Sequence, residues 1–414
     1  MSTPFLSYFD FNIARLKLAA VWIYEKNTPQ RTIFFQNCYN IFWATYLYFI
    51  YFPTECLATL DAHNDFTILI RDFRDMGNHI GLIIKAVNWY LKRKQILRLL
   101  KVLEHYNIYY EESEECQPKV IIEKHRIKAE KWSKILFRLI NTICGCMFIS
   151  GIFVFIFKGE DNYVWENGVR YYRQKLPVNV FPLFGNKNRA QFLVTFIYVL
   201  AALTFYGWMI SGLDSLFITI LSCVSAHLRI LESAIKTIRL RCCRRIGIIP
   251  KDELYDPLRL QMEMQNELKA CLIHLQMVYR CSTEIEDIYS IQTLLQIFIS
   301  LYEICFCMYL LSISRYDSLG SELTYLFSTG FQLLLYCWFG NMVTDASTSV
   351  SYALYDCEWF ASNMVFKKQI IFTMARMNKP IYVTVGKITP LSFITFITIA
   401  RGAYSYFTFL KRNI

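Results

Sequence analysis

The residues able to do chemistry are few, and three of them sit where charge is expensive. Arg401 lies in the apolar run Ile388 to Leu410, Glu303 is the only charge between Ile288 and Ser314, and Asp214 alone interrupts Gln191 to Ala226. An ionised group in such surroundings normally faces protein or water and has a partner. An Arg401–Glu303 pair, an Arg401–Asp214 pair and a water-facing Arg401 all satisfy that rule. The other reactive types do not converge. The six histidines are dispersed, and neither Cys144-x-Cys146 nor Cys305-x-Cys307 has zinc-site spacing. No Gly-rich phosphate loop or nucleophile elbow occurs. The pattern points away from an enzyme, a metal site or a cofactor. Most of the 14 cysteines fall in apolar runs or in loops where thiols stay reduced, and read as small buried apolar groups.

What must position these groups is a set of membrane helices. The chain has 414 residues, 55% of them hydrophobic and only 19% charged. Soluble domains carry about 25% charged residues, and a globule this apolar would expose large adhesive patches. Uncharged runs recur at the ~20-residue length that crosses a bilayer. The spans are Thr32 to Thr54, Phe66 to Leu91, Leu139 to Phe157, Gln191 to Ala226, Ile288 to Ser314, Leu323 to Thr344 and Ile388 to Leu410. The second is the weakest, with Arg71, Asp72, Arg74, Asp75, His79 and Lys85. Arg71 and Asp75 are four apart and can pair on one helical face. Met1 to Arg31 lacks the features of a signal peptide and suits a short interfacial or re-entrant helix better than a crossing one. The final run ends at Ile414, which fits a helix that lines something.

Between the spans lie hydrophilic stretches with helical signals of their own. Ile96, Leu99 or Leu100, and Leu103 repeat at helical spacing, and Glu111-Glu112-Ser113-Glu114-Glu115 reads as a solvated turn. Met264, Leu268, Cys271, Leu275 and Val278 form a 4-3-4-3 seam, suited to packing one helix on another. Lysine and arginine are split 28 to 9 between the two alternate sets of loops. The positive-inside rule then places the N-terminus in the cytosol and the C-terminus outside, opposite to G-protein-coupled receptors. The outer segment Lys158 to Arg189 also lacks a cysteine, and no Asn-x-Ser/Thr sequon occurs. The net charge of +11 follows from cytosolic loops facing an anionic leaflet and does not call for nucleic acid.

The C-terminal motifs resemble a known family. Tyr336-Cys-Trp-Phe-Gly-Asn341, Ala353-Leu-Tyr355 with Trp359, Lys379-Pro380, Gly386-Lys387, Pro390-Leu391-Ser392 and Tyr404-Ser-Tyr-Phe407 look like the tail signature of insect odorant receptors, in family order and spacing. Upstream, Leu176-Pro-Val-Asn-Val-Phe-Pro182 resembles the family's proline-bearing outer loop. The resemblance implies an all-α integral membrane protein of seven transmembrane helices with the odorant-receptor ion-channel fold. It implies a tuning subunit, not the longer co-receptor, that joins the co-receptor in a tetrameric cation channel in olfactory neurons. Its ligand would be small, volatile and hydrophobic.

The implied organisation is 1–33 as cytosolic segment, 34–344 as the first six spans with the pocket in their outer half, 345–387 as a cytosolic anchor, and 388–414 as the pore helix. Pocket candidates are Phe73, Gly77, Asn78, Met147, Ser150, Phe153, Tyr198, Ala201, Phe205, Tyr325, Ser328 and Thr329: apolar walls with a few polar groups, each equally able to serve ordinary helix packing. Alignment with the family puts the gate near Thr408 and Phe409, with Asn413 one turn further out. A hydrophobic ring there could close a pore by dewetting, while Lys411 and Arg412 would oppose cation entry. Trp338, Tyr355 and Trp359 would supply anchor contacts, either between subunits or within one. A metabotropic receptor of inverted topology, a gustatory-type homomeric channel and a transporter are the competing classes. No inverted repeat favours the last.

Overall fold

A bilayer offers backbone groups no partner, so uncharged runs there must close their hydrogen bonds internally as helices. The computed structural model describes residues 8–24, 28–61, 66–105, 110, 112–113, 116–157, 163–166, 169–172, 176–185, 188–248, 256–313 and 316–413. Of 163–166, 169–172, 316–318 and 413 only the backbone is described. The main helices are α1 (Asp10–Leu18), α2 (Gln30–Ala44), α3 (Phe52–Asp61), α4 (Phe66–His105), α5 (Pro118–Phe157) and α6 (Arg189–Lys236), followed by α7 (Ile238–Ile246), α8 (Leu258–Ile313), α9 (Tyr316–Asp356), α10 (Met364–Met377) and α11 (Phe393–Asn413). A π-helical stretch, Thr45–Tyr51, joins α2 to α3, so that the first span is one continuous but uneven rod. Among the described residues, four helices (α5, α6, α8 and α11) are long and apolar enough to cross a membrane by length and composition alone. The α2–α3 rod, α4 and α9 complete seven spans.

The helices outrun the predicted spans. Those spans marked only the apolar stretches; α4 continues to His105, α5 already starts at Pro118, and α8 starts at Leu258. The extensions are held by a shared cytosolic core. Ile96, Leu99, Leu100 and Leu103 are buried, and Met264, Leu268, Cys271, Leu275 and Val278 fill the predicted seam. At ~1.5 Å per residue, α8 is far longer than the ~30 Å hydrocarbon core, and its first half serves this inner bundle. α6 is the hub, packing against α4, α5, α8 and α9.

α1 packs one face on the bundle. Phe9, Ile13 and Leu16 are buried, α1 lies along α6, and Asn12 donates to the Ser215 hydroxyl at 3.0 Å. The Arg15 guanidinium stands 3.8 Å from the Phe137 ring and 4.8 Å from Phe11.

The last span starts later than predicted because its entry is a hairpin. Strands β3 (Thr384–Val385) and β4 (Thr389–Pro390) pair antiparallel, after β1 (Tyr163–Glu166) and β2 (Val169–Tyr172) in the outer loop. Gly386 and Lys387 both have positive φ, 59° and 63°, the conformation a tight hairpin turn demands. α11 begins only at Phe393 and packs on α8 and α9.

Candidate functional site in the outer half of the bundle

On the topology above, the end of α3, the start of α4, the end of α8 and the start of α9 meet near the outer surface. They bring a set of buried polar groups together. Within α4, Asp72, Asp75 and His79 are i, i+3 and i+7 on one face, and these and Arg74 are all buried. Arg74 bonds Asp75 at 3.0 Å and also Glu322 of α9, while its guanidinium lies 4.0 Å from the Tyr325 ring. Arg71 approaches Glu322 at 3.6 Å. The expected Arg71–Asp75 pair is therefore replaced by contacts within a three-way cluster, because Glu322 sits between both arginines.

A second pair stands beside it. His79 Nδ1 lies 2.7 Å from Glu55 Oε2 of α3, and its ring stacks on Tyr206 at 4.1 Å. On α8, Glu303 accepts a 3.0 Å hydrogen bond from the Thr329 hydroxyl. The Tyr302 ring lies over Gly77, where a Cβ would collide with its phenol. The second oxygens of Glu55 and Glu303 and the Tyr302 hydroxyl are buried without a hydrogen-bond partner among the described residues. The proline-bearing outer loop covers this end: Val178 and Val180 are buried, Asn179 donates to Asp72 at 2.9 Å, and the Phe181 amide bonds the Thr54 carbonyl at 2.9 Å.

Deeper in the membrane a separate network fixes the inner floor. Lys85 bonds Asp214 at 2.7 Å, and the same carboxylate accepts from the Tyr336 hydroxyl at 2.7 Å and from Gln332. A small cavity adjoins it, bordered by Lys85, Asn88, Trp89, Leu213, Tyr289 and Gln292. Asp214 pairs with Lys85, Glu303 accepts from Thr329 and keeps its second oxygen unpartnered among the described residues, and Arg401 is exposed on α11 with no ion pair among them.

The pocket candidates divide into three groups. Gly77, Tyr325 and Thr329 converge on the α4–α8–α9 cluster, and the Ser328 hydroxyl turns back to the Tyr325 carbonyl at 2.9 Å. Tyr198 and Phe205 belong to an aromatic group with the first span. The Tyr198 and Thr54 hydroxyls are 3.3 Å apart, Tyr198 meets Tyr46, Tyr51 and Phe184, and Phe205 stacks on Trp43. Ala201 is half-buried on the same helix. Phe73, Ser150 and Phe153 are exposed, with Asn78 and Met147 half-buried. Phe153 packs on Phe157 at 4.7 Å, along the outer end of α5.

Sequence reading missed Glu55, Glu322, Tyr302 and Tyr206. The two acids flank spans and looked like loop residues; the i, i+3, i+7 spacing in α4 was the available signal that charges here turn inward.

The anchor and gate candidates are also placed. Trp338 packs inside the subunit, edge-on to Trp132 at 4.8 Å with the Lys128 ammonium 5.0 Å from its ring. Trp359 donates to the Tyr355 carbonyl at 3.2 Å, whereas the Tyr355 ring is 69% exposed. Thr408 and Phe409 are exposed on α11; the Asn413 side chain lies outside the described residues.

A family model described as 7tm Odorant receptor matches residues 65–404. The chain belongs to this odorant receptor family. Odorant receptor 2a of Drosophila melanogaster is 26% identical over 193 residues, 46% of this chain and 47% of that protein. Odorant receptor Or2 of Anopheles gambiae is 27% identical over 150 residues, 35% of this chain and 39% of that one. These alignments span less than half of either relative. The fold extends further. The olfactory receptor OR5 from Machilis hrabei superposes with a TM-score of 0.72 over 97% of both chains at 14% identity. Its complex with eugenol gives 0.74 over 98% of this chain and 97% of that one, again at 14% identity. The chain thus has the sequence family and the helical fold of odorant receptors.

Proposed function

We propose that the receptor is the odorant-binding subunit of a ligand-gated, non-selective cation channel in the plasma membrane of olfactory sensory neurons, assembled with the odorant co-receptor. The observation that carries this reading is the outward face of α11. In the isolated subunit Phe409 is 66% exposed beside exposed Thr408, Ser405 and Arg412. Hydroxyls and a guanidinium on a membrane helix suit a water-filled conduit better than lipid. Thr408, Phe409 and Asn413 form the gate region in this reading.

The cytosolic surface supports assembly. Tyr352, Tyr355, Phe360, Met364 and Phe372 are all exposed on the inner end of α9, α10 and the segment between them, where no lipid can cover them. A patch of this kind marks a contact with another chain. Tyr355 serves there, Trp359 braces it from behind, and Trp338 holds its own subunit.

The ligand is a small volatile with an apolar body and at most one polar group. OR5 of Machilis hrabei is described in complex with eugenol. Gly77, Tyr325 and Thr329, with Tyr302 and Glu303, form the polar side of the site. Tyr198, Ala201 and Phe205 form the aromatic side, and Phe73, Asn78, Met147, Ser150, Phe153 and Ser328 the periphery. Co-expression with the co-receptor and recording of odour-evoked current tests the reading. Current is expected only when both chains are present. A second-messenger response without current would favour a metabotropic receptor.

A further inference from the structure

One face of α11 carries a repeat that packing does not use. Thr398, Arg401, Ser405, Thr408 and Arg412 are spaced 3-4-3-4, and all five are exposed. The opposite face holds Ile399 and Ala403, buried against the bundle, with Phe396, Phe407 and Leu410 packed beside them. The helix is therefore two-sided: apolar where it meets its own subunit, and polar along a stripe that its own subunit leaves uncovered. Thr398 and Thr408 return their hydroxyl protons to the Ile394 and Ser405 carbonyls at 2.8 Å each, so their oxygens remain available as acceptors. Arg401 is the only charge on the stripe between the hairpin entry and Lys411. It lies about 12 Å from the start of α11 at ~1.5 Å per residue, in the inner half of the membrane, with no ion pair among the described residues.

We infer that Arg401 stands in the ion path and holds back divalent cations relative to monovalent ones. The inference rests on the reading above, that α11 lines the conduit. A fixed positive charge raises the energy of a passing divalent ion by twice what it costs a monovalent ion at the same distance. The hydroxyls of Thr398, Ser405 and Thr408 stand one turn or two away and supply the oxygen contacts that let monovalent cations pass. The guanidinium stays ionised under all physiological conditions, so this discrimination does not vary with pH.

The test uses the receptor co-expressed with its co-receptor, with reversal potentials measured under calcium–sodium gradients. Arg401→Gln is expected to raise calcium permeability relative to sodium by about threefold to tenfold, with Arg401→Lys at the wild-type value. The odorant concentration for half-maximal current is expected to stay within about twofold in both, because the residue is far from the outer cluster. Cysteine variants at 401 and 408, treated with a charged methanethiosulfonate during odorant application, separate the two levels of the argument. Reaction at both positions supports the inference. Reaction at Thr408→Cys but not at Arg401→Cys leaves α11 as the conduit wall and overturns the role of Arg401. Reaction at neither removes the conduit reading and the inference with it. Reaction at both with an unchanged permeability ratio in Arg401→Gln also overturns the inference.

Discussion

Arg74 shows how one side chain can organise a membrane interior. Its guanidinium joins Asp75, Glu322 and the Tyr325 ring, and Arg74 and both of its charged partners are nearly sealed from solvent. Removing one member of such a cluster leaves an uncompensated buried charge, a cost of about 3–5 kcal/mol. Glu322→Gln is therefore expected to lower surface expression sharply, as read by biotinylation of intact cells. Arg74→Met combined with Asp75→Leu and Glu322→Leu should recover much of the loss, because apolar side chains of similar volume carry no desolvation penalty. An additive loss in the triple variant would contradict the pairing. Gly77→Ala probes the neighbouring contact. Its methyl must displace the Tyr302 phenol, so a penalty of about 1–3 kcal/mol and a shifted odorant response are expected. Partial restoration by Tyr302→Phe in the Gly77→Ala background would confirm that the phenol is what gives way.

At the scale of elements, the inner bundle depends on the buried faces of α4, α6 and α8. Leu268→Ala in the heptad seam is expected to cost about 2–5 kcal/mol, measured as a lower unfolding temperature of the detergent-solubilised protein. A directional chain of hydrogen bonds crosses the same region. His227 Nε2 is 2.8 Å from the Leu103 carbonyl and must donate to it, which leaves its Nδ1 to accept from His274 Nε2 at 2.9 Å. His274 Nδ1 then accepts from the Tyr110 hydroxyl at 3.1 Å. Both imidazoles are neutral in this arrangement. Burial, reinforced by His227 nearby, holds His274 down to about 2 from the ordinary 6.5, and burial lowers His227 as well. Below pH 6.5 the unfolded chain binds protons that the folded chain refuses, so stability is complete above that pH and falls as pH drops towards 2. His274→Gln should make the decline between pH 7.5 and 5 shallower, by up to about 1.4 kcal/mol per pH unit. An identical slope in the variant would contradict the neutral chain.

The elements also show what could be read in advance and what could not. The seam from Met264 to Val278 and the seven spans were legible because periodicity and length are local properties. The partners of Asp214 and Glu322 were not. Lys85 lies 129 positions from Asp214, and Arg74 lies 248 from Glu322, separations that no local pattern encodes. Arg401 was recognised as anomalous, and of the readings open for it the water-facing one fits its exposure on α11. Among the pocket candidates, Tyr325 and Thr329 landed in the cluster because hydroxyls in an apolar run have few other uses. Ser150 and Phe153 fell on the outer end of α5, where a similar run faces outward.

For the whole molecule, the lysine- and arginine-rich stretches gather at one end of the bundle and the proline-bearing loop closes the other. An epitope at the N-terminus should remain hidden, and one after Ile414 accessible, in unpermeabilised cells; the reverse would undo the orientation. The central claim is that odorant binding in the outer half opens a conduit lined by α11 within the same assembly. Excised patches from cells expressing the receptor with its co-receptor, held without nucleotides on the cytosolic side, test this most directly. The account predicts that odorant still evokes cation current in such patches. Current that disappears without GTP, while surviving in intact cells, would contradict it.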